Sequence, residues 1–359
     1  MILILLCALA ACLPTTAQVA PKERVCMAYC PYYRTTQLPD PSIVTHINYA
    51  FAEVYVTADG VYNGFKLQGD EAMFRRVVAL KEQNPAIRIC LSFSHTVTNP
   101  DNRQGGGFSA IAASADNRSR FAADCLAFVE KWGIDGIDLD WEFPGLSWSG
   151  SASNPAIDTP NYTLLLRRLR ETLGKNRLLT FAGYVMDFRR NTDGTMRYID
   201  ITAALPYVDF INVMTYDMDE APNYQNAVRS ETSYYDCESA VETYIKAGVP
   251  PEKIVLGIPF YLRHSFDGAT TAVDYKQLLA LGKNPNWEID LYDEQAHAAY
   301  ATYKGQFYGS YDNVRSIAFK GEWIHSLGLR GMLYWDCGAD DSGYTLSKAV
   351  WNAVMKSYE

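Results

Sequence analysis

Positive charge is scarce in this chain. Its 32 Lys and Arg stand against 41 Asp and Glu, a net charge of -9 at pH 7, and no basic stripe runs through it. Binding a polyanion draws on clustered Lys and Arg, so the composition argues against a nucleic-acid partner. Zinc-type spacing of cysteines is missing as well. Beyond the first residues no apolar run approaches the ~20 needed to span a bilayer. No Gly-rich loop follows the first strand-like segment, where a dinucleotide site would need one; Pro31-Tyr32-Tyr33 stands there instead. Repeats, biased tracts and Pro/Gly/Ser linkers are absent, so one domain is the economical reading of 359 residues. Nothing calls for a metal or a cofactor.

What the chain does contain begins with Met1 to Ala11, an apolar run too short for a membrane helix. It reads as the core of a secretory signal within residues 1–17. Leu9-Ala10-Ala11-Cys12 resembles a lipobox, in which Cys12 would be acylated; simple cleavage after Thr16-Ala17 is the competing reading. Export is the expectation either way, to the cell surface or periplasm as a lipoprotein, or into the medium. Six cysteines remain beyond the signal, Cys26, Cys30, Cys90, Cys125, Cys237 and Cys337. They are expected to be mainly small core residues; one or two disulfides would be unassignable from spacing. Aromatics make up 13%, with 25 Tyr and 7 Trp, more than a core alone asks for and suited to stacking on flat apolar faces such as sugar rings.

From Glu23 onward, apolar runs alternate with helix-period segments. The runs lie near Val25–Cys30, Ile43–Phe51, Ile87–Phe93, Ile134–Trp141, Leu178–Tyr184, Val208–Met214, Ile254–Phe260 and Gly328–Trp335. Between them, Phe121, Cys125, Phe128 and Trp132 recur at helical spacing, as do Leu165, Leu169 and Leu173 ahead of a terminating Gly174. Continuous apolar strands alternating with helices imply an α/β fold with a helix-covered parallel sheet. Eight such units favour closure into a (β/α)8 barrel over residues 23–359. The longest interval between strands, about 263–306, has room for a small insertion.

One strand is unlike the others. In Asp135-Gly136-Ile137-Asp138-Leu139-Asp140-Trp141-Glu142 the side chains alternate between faces, so Asp138, Asp140 and Glu142 share one and Ile137, Leu139 and Trp141 the other. The apolar face must meet helices, which turns the acids into the barrel. Buried like charges raise one another's pKa, and coupled carboxylates in a cleft usually mark acid catalysis. Glu142, at the strand's C-terminal end, falls at the barrel mouth where such folds carry their chemistry, and is expected to hold a proton near neutral pH. Asp138 and Asp140, ~7 Å apart by strand rise, are expected to titrate together. Asp135 has the opposite parity and is given a supporting role.

The string DGIDLDWE resembles the D-x-x-D-x-D-x-E signature of family 18 glycoside hydrolases, the chitinases and their relatives. Asn212-Val213-Met214-Thr215-Tyr216-Asp217, Leu256-Gly257-Ile258-Pro259-Phe260-Tyr261 and Gly331-Met332-Leu333-Tyr334-Trp335 resemble the family's sixth, seventh and eighth strands. Segments Ala28–Cys30 and Ile47–Ala52 resemble its first two, so the likeness spans nearly the whole chain after the signal. The resemblance implies hydrolysis of β-1,4-linked N-acetylglucosamine chains, with Glu142 as general acid/base and the substrate's own acetamido oxygen as nucleophile. It implies that Asp140 orients the acetamido nitrogen, that Asp138 adjusts the proton balance, and that Tyr216 and Asp217 bind the acetamido group. Trp335 would floor the sugar site; Tyr29, Phe51 and Met214 would line it, with Arg263 near the substrate and Ser92 in support. Two glycines of the family's S-x-G-G motif are Ser94 and His95 here, and Leu262 replaces another. The interval before Ser310-Tyr311-Asp312 looks abbreviated, which implies a shallower cleft and endo-acting cleavage of short or soluble chains. Two other readings use the same barrel: an endo-β-N-acetylglucosaminidase acting on N-glycans, and a non-catalytic glycan-binding lectin. The lectin reading fits poorly with an intact Glu142 and both aspartates.

Overall fold

The computed structural model describes residues 23–96, 107–185, 198–268 and 271–356; the export signal expected over 1–17, with Cys12, lies outside the described residues. Fourteen strands form among them. In chain order these are β1 (Val25–Pro31), β2 (His46–Val56), β3 (Tyr62–Leu67), β4 (Arg88–Ser94), β5 (Gly136–Asp140), β6 (Leu178–Gly183), β7 (Phe210–Val213), β8 (Ile254–Pro259), β9 (Tyr261–Arg263), β10 (Ala272–Asp274), β11 (Trp287–Asp293), β12 (Ala298–Tyr303), β13 (Gln306–Tyr311) and β14 (Gly331–Trp335). Eight of them pair in parallel as β1-β2-β4-β5-β6-β7-β8-β14, and β14 returns to β1, so the sheet closes into a barrel. At that seam Val25 stands opposite Gly331. A Cβ at 331 would collide with the Val25 carbonyl, so only glycine lets the strands meet there.

Helices cover the barrel, each delimited by its own sequence. In Ala115–Trp132 the Ser114 side chain accepts from the Asn117 amide at the start, and left-handed Gly133 ends it. Helix Asp158–Leu173 stops at Gly174. Helix Val314–Leu327 opens with a reciprocal Asn313–Ser316 capping box and closes on left-handed Gly328. Strand parity divides the core in two. Ile137, Leu139 and Trp141 pack outward with Phe108, Phe121, Tyr162 and the leucines of 158–173, while Val25, Met27, Tyr29, Phe210, Val255 and Leu333 fill the barrel interior.

Between β8 and β14 the chain builds a second sheet, antiparallel and ordered β10-β9-β13-β12-β11, with helix Tyr275–Leu281 after β10. It starts at Tyr261 and ends at Tyr311, wider than the interval 263–306. Its last strand runs into Asp312, whose carboxylate is paired with Lys320 of helix Val314–Leu327 at 2.7 Å, both side chains fully buried. Ser316 Oγ also donates to Asp312, at 2.7 Å. All six cysteines among the described residues are buried and free.

Candidate active site

A cavity of about 880 Å³ opens at the C-terminal ends of the barrel strands, and Asp140, Glu142, Tyr216, Asp217, Met214, Phe51, Arg263 and Trp335 all line it. Parity explains the convergence: Glu142 continues the inward face of β5 one step beyond Asp140, and Trp335 ends β14. Phe51 and Trp335 stack at 5.7 Å with 22° between planes, a flat apolar floor.

Asp138 lies one step below, out of the cavity and wholly buried. Its carboxylate accepts four hydrogen bonds: from Tyr29 Oη (2.9 Å), Ser92 Oγ (2.6 Å), Thr180 Oγ1 (2.5 Å) and Asn212 Nδ2 (3.1 Å). Burial raises its pKa, and these four donors oppose the rise. The expected coupling of Asp138 with Asp140 is therefore displaced. Asp140 is hydrogen-bonded to Glu142, and burial, then Glu142, then Asp138 push its carboxyl far above the usual range. Glu142 is pushed up to about 7, chiefly by burial, with the hydrogen bond from Asp140 opposing and the charge of Asp217 adding. Asp140 and Glu142 therefore titrate together, with Asp138 the lesser influence.

Tyr216 keeps its hydroxyl proton, since burial and the neighbouring Asp140 and Glu142 raise its pKa well above 10. Gly257 makes room for its ring: a Cβ there would stand 2.8 Å from Tyr216 Cε1 and 2.6 Å from the Val213 carbonyl. Asp217 has φ of 53°, in the left-handed region that Asp tolerates. Its Oδ1 accepts from Tyr261 Oη at 2.8 Å and pairs with Arg263 at 2.7 Å. Arg263 thus lines the cavity with its guanidinium committed to Asp217.

Two expectations are corrected. Tyr29 does not line the cavity; it is 2% exposed beneath Trp335, where its hydroxyl serves Asp138. Asp135 is not in the site at all. It precedes β5, where its carboxylate accepts from the Ile89 amide at 2.8 Å and pairs with Lys81 at 2.6 Å. Its opposite parity at the strand start takes it away from the C-terminal mouth. Sequence reasoning misses Thr180 and Asn212, although their inward parity on β6 and β7 carries the signal. Arg34 has no such signal: it joins Asp274 bidentately (2.7 and 2.8 Å) and Asp336 at 3.1 Å, linking three distant segments on the cavity wall. The replaced motif glycines, Ser94 and His95, both line the cavity, and His95 Nδ1 accepts from the Glu142 amide at 3.4 Å. Among the described residues no group of three His, Cys, Asp or Glu is placed to hold a metal ion.

The model of glycosyl hydrolases family 18 matches residues 25–340. This chain belongs to that family. It is similar to chitinase A1 of Niallia circulans, 28% identical over 91% of this chain and 58% of the relative, so it spans little more than half of that protein. Mouse chitotriosidase-1 is 28% identical, with 84% of this chain and 68% of that one aligned. Among solved structures, a family 18 N-acetylglucosaminidase from Paenibacillus barengoltzii superposes with a TM-score of 0.76 at 28% identity, covering 92% of this chain and all of that one.

Proposed function

We propose that this protein hydrolyses β-1,4-linked N-acetylglucosamine chains, chitin or its oligosaccharides, by substrate-assisted catalysis with retention. The observation that carries the reading is Glu142, a carboxyl held up to about 7 in a cavity floored by Trp335 and hydrogen-bonded to a second carboxyl. Such a group carries its proton at neutral pH and can deliver it to a leaving glycosidic oxygen. With the sugar on Trp335, its acetamido oxygen attacks the anomeric carbon as Glu142 protonates the departing oxygen, and a cyclic oxazolinium forms. Asp140, having passed its proton to Glu142, accepts from the acetamido N–H, and the Tyr216 hydroxyl donates to the acetamido oxygen. Asp217, held by Arg263 and Tyr261, borders the same pocket. Water activated by Glu142 then opens the ring with the β-configuration restored. Holding the internal nucleophile in line supplies much of the rate. The relatives' names, chitinase, chitotriosidase and N-acetylglucosaminidase, support the substrate class.

The test pairs two measurements. Glu142→Gln is expected to abolish cleavage of chitooligosaccharides while retaining their binding, and NMR of fresh wild-type products is expected to show the β-anomer. Turnover in the variant, or α-product from the wild type, would defeat the proposal.

A further inference from the structure

Backbone pairing between β4 and β5 runs out beside the acid. The two strands align from Cys90 opposite Gly136 to Ser94 opposite Asp140. One step on, the His95 amide donates to the Asp140 carbonyl at 3.3 Å. A regular parallel ladder would answer with a bond from the Glu142 amide to the His95 carbonyl. That bond is not made. Among the described residues the Glu142 amide has no backbone acceptor, and it donates instead to Nδ1 of the His95 ring at 3.4 Å. An imidazole nitrogen stands in for a carbonyl at the last rung of the ladder, where the chain leaves β5 to carry Glu142 into the cavity.

The ring is suited to this place. A nitrogen that accepts must be unprotonated. Burial lowers the His95 pKa, against the opposing pull of the Asp140 carbonyl, so the ring is neutral at pH 7. With Nδ1 accepting, the ring proton lies on Nε2. The backbone around the ring is also fixed, since the Thr96 amide donates to Ser94 Oγ at 2.9 Å. Ser94 and His95 stand where the resembling S-x-G-G motif has glycines, and a glycine has no side chain with which to reach Glu142.

Glu142 needs such a hold. β5 ends at Asp140, and the amide after Glu142, that of Phe143, is taken by Ser149 Oγ at 3.1 Å. Consecutive amides at the acid are thus tied by side chains, not by the sheet. Misplacing a catalytic group by about 1 Å can cost about 100-fold in rate. We propose that His95 is a positioning residue of this chain's own, whose ring fixes the backbone of Glu142 and so sets where its carboxyl meets the glycosidic oxygen. The proposal rests on the glycosidase reading above.

Isosteric replacements test it. Asn places an amide oxygen near the position of Nδ1, whereas Gln keeps a polar group near Nε2 and leaves the Nδ1 position unfilled; glycine removes the side chain altogether. In His95→Gln and His95→Gly, kcat on chitohexaose is expected to fall at least tenfold with KM changed less than threefold. His95→Asn is expected to recover most of that loss. Deuterium exchange of the Glu142 amide, followed by NMR, is expected to quicken at least tenfold in the Gln and Gly variants and to stay near the wild-type rate in the Asn variant. A Gly variant within twofold of wild type in kcat, a Gln variant as active as the Asn one, or an unchanged exchange rate in the Gly variant would overturn the positioning role. Wild-type protein inactive on chitohexaose would overturn the glycosidase reading instead, and the exchange rates alone would then decide whether His95 holds Glu142.

Discussion

Replacing Glu142 with Gln is expected to make the protein more stable, by an amount that grows with pH. In the folded chain the Glu142 carboxyl is raised from 4.5 to about 7, mainly because burial penalises its charge. The unfolded chain has no such penalty, so between those values the native state holds a proton that the unfolded state has released. Folding stability must therefore fall as pH rises through this window. At about 1.4 kcal/mol per pH unit, the loss amounts to about 3 kcal/mol by pH 8. A neutral amide in place of the carboxyl has no charge to bury and escapes it. The variant should match the wild type near pH 4 and exceed it by about 3 kcal/mol at pH 8, and by more to the extent that Asp140, no longer raised by the Glu142 charge, ionises more readily. Urea unfolding at half-unit intervals from pH 4 to 8 measures the difference directly. A gap that is constant with pH, or that narrows as pH rises, would refute the reasoning. The expected outcome also carries a general meaning, since the group best placed for chemistry is one that the fold holds at a cost.

Three further outcomes follow from the geometry. Cleavage by the wild type should decline above about pH 7, as Glu142 loses the proton it must donate; a flat kcat/KM profile to pH 9 would contradict it. Arg263→Ala leaves Asp217 tied through Tyr261 alone, and kcat/KM should fall about tenfold or more with little change in thermal midpoint; unaltered kinetics would remove Asp217's placement from the mechanism. Lys320→Ala strands the Asp312 carboxylate in the core and should cost about 3–5 kcal/mol in urea unfolding, whereas a joint Lys320→Met/Asp312→Leu change should cost much less.

The eight barrel strands were legible because each buries both faces and so reads as a continuous apolar run. Alternation alone turned Asp138, Asp140 and Glu142 inward, a local property that the strand's own residues decide. Contacts between distant segments were not legible. Arg34 reaches Asp274 and Asp336 across more than two hundred residues, and no pattern near any of the three predicts that meeting. Tyr29 shows the limit of likeness: its inward face was foreseeable, but whether its hydroxyl met a sugar or Asp138 depended on depth in the barrel. The proton balance shifted for the same reason, because the four donors around Asp138 come from β1, β4, β6 and β7. The insertion hid its strands since two of them are only three residues long and the longest, Trp287–Asp293, has no buried residue and so no apolar run to mark it.

The seam between β1 and β14 has a bearing on how the protein is made. A chain emerging from the ribosome N-terminus first must expose β1 with one edge unpaired until Gly331 to Trp335 arrive some three hundred residues later. Such late pairing slows folding, and it leaves open strand edges for other chains to find. Trp335, the floor of the sugar pocket, travels on that same final strand. An unfinished chain therefore lacks both its closure and its binding surface, and the barrel gains its catalytic cavity in the step that removes its sticky edges.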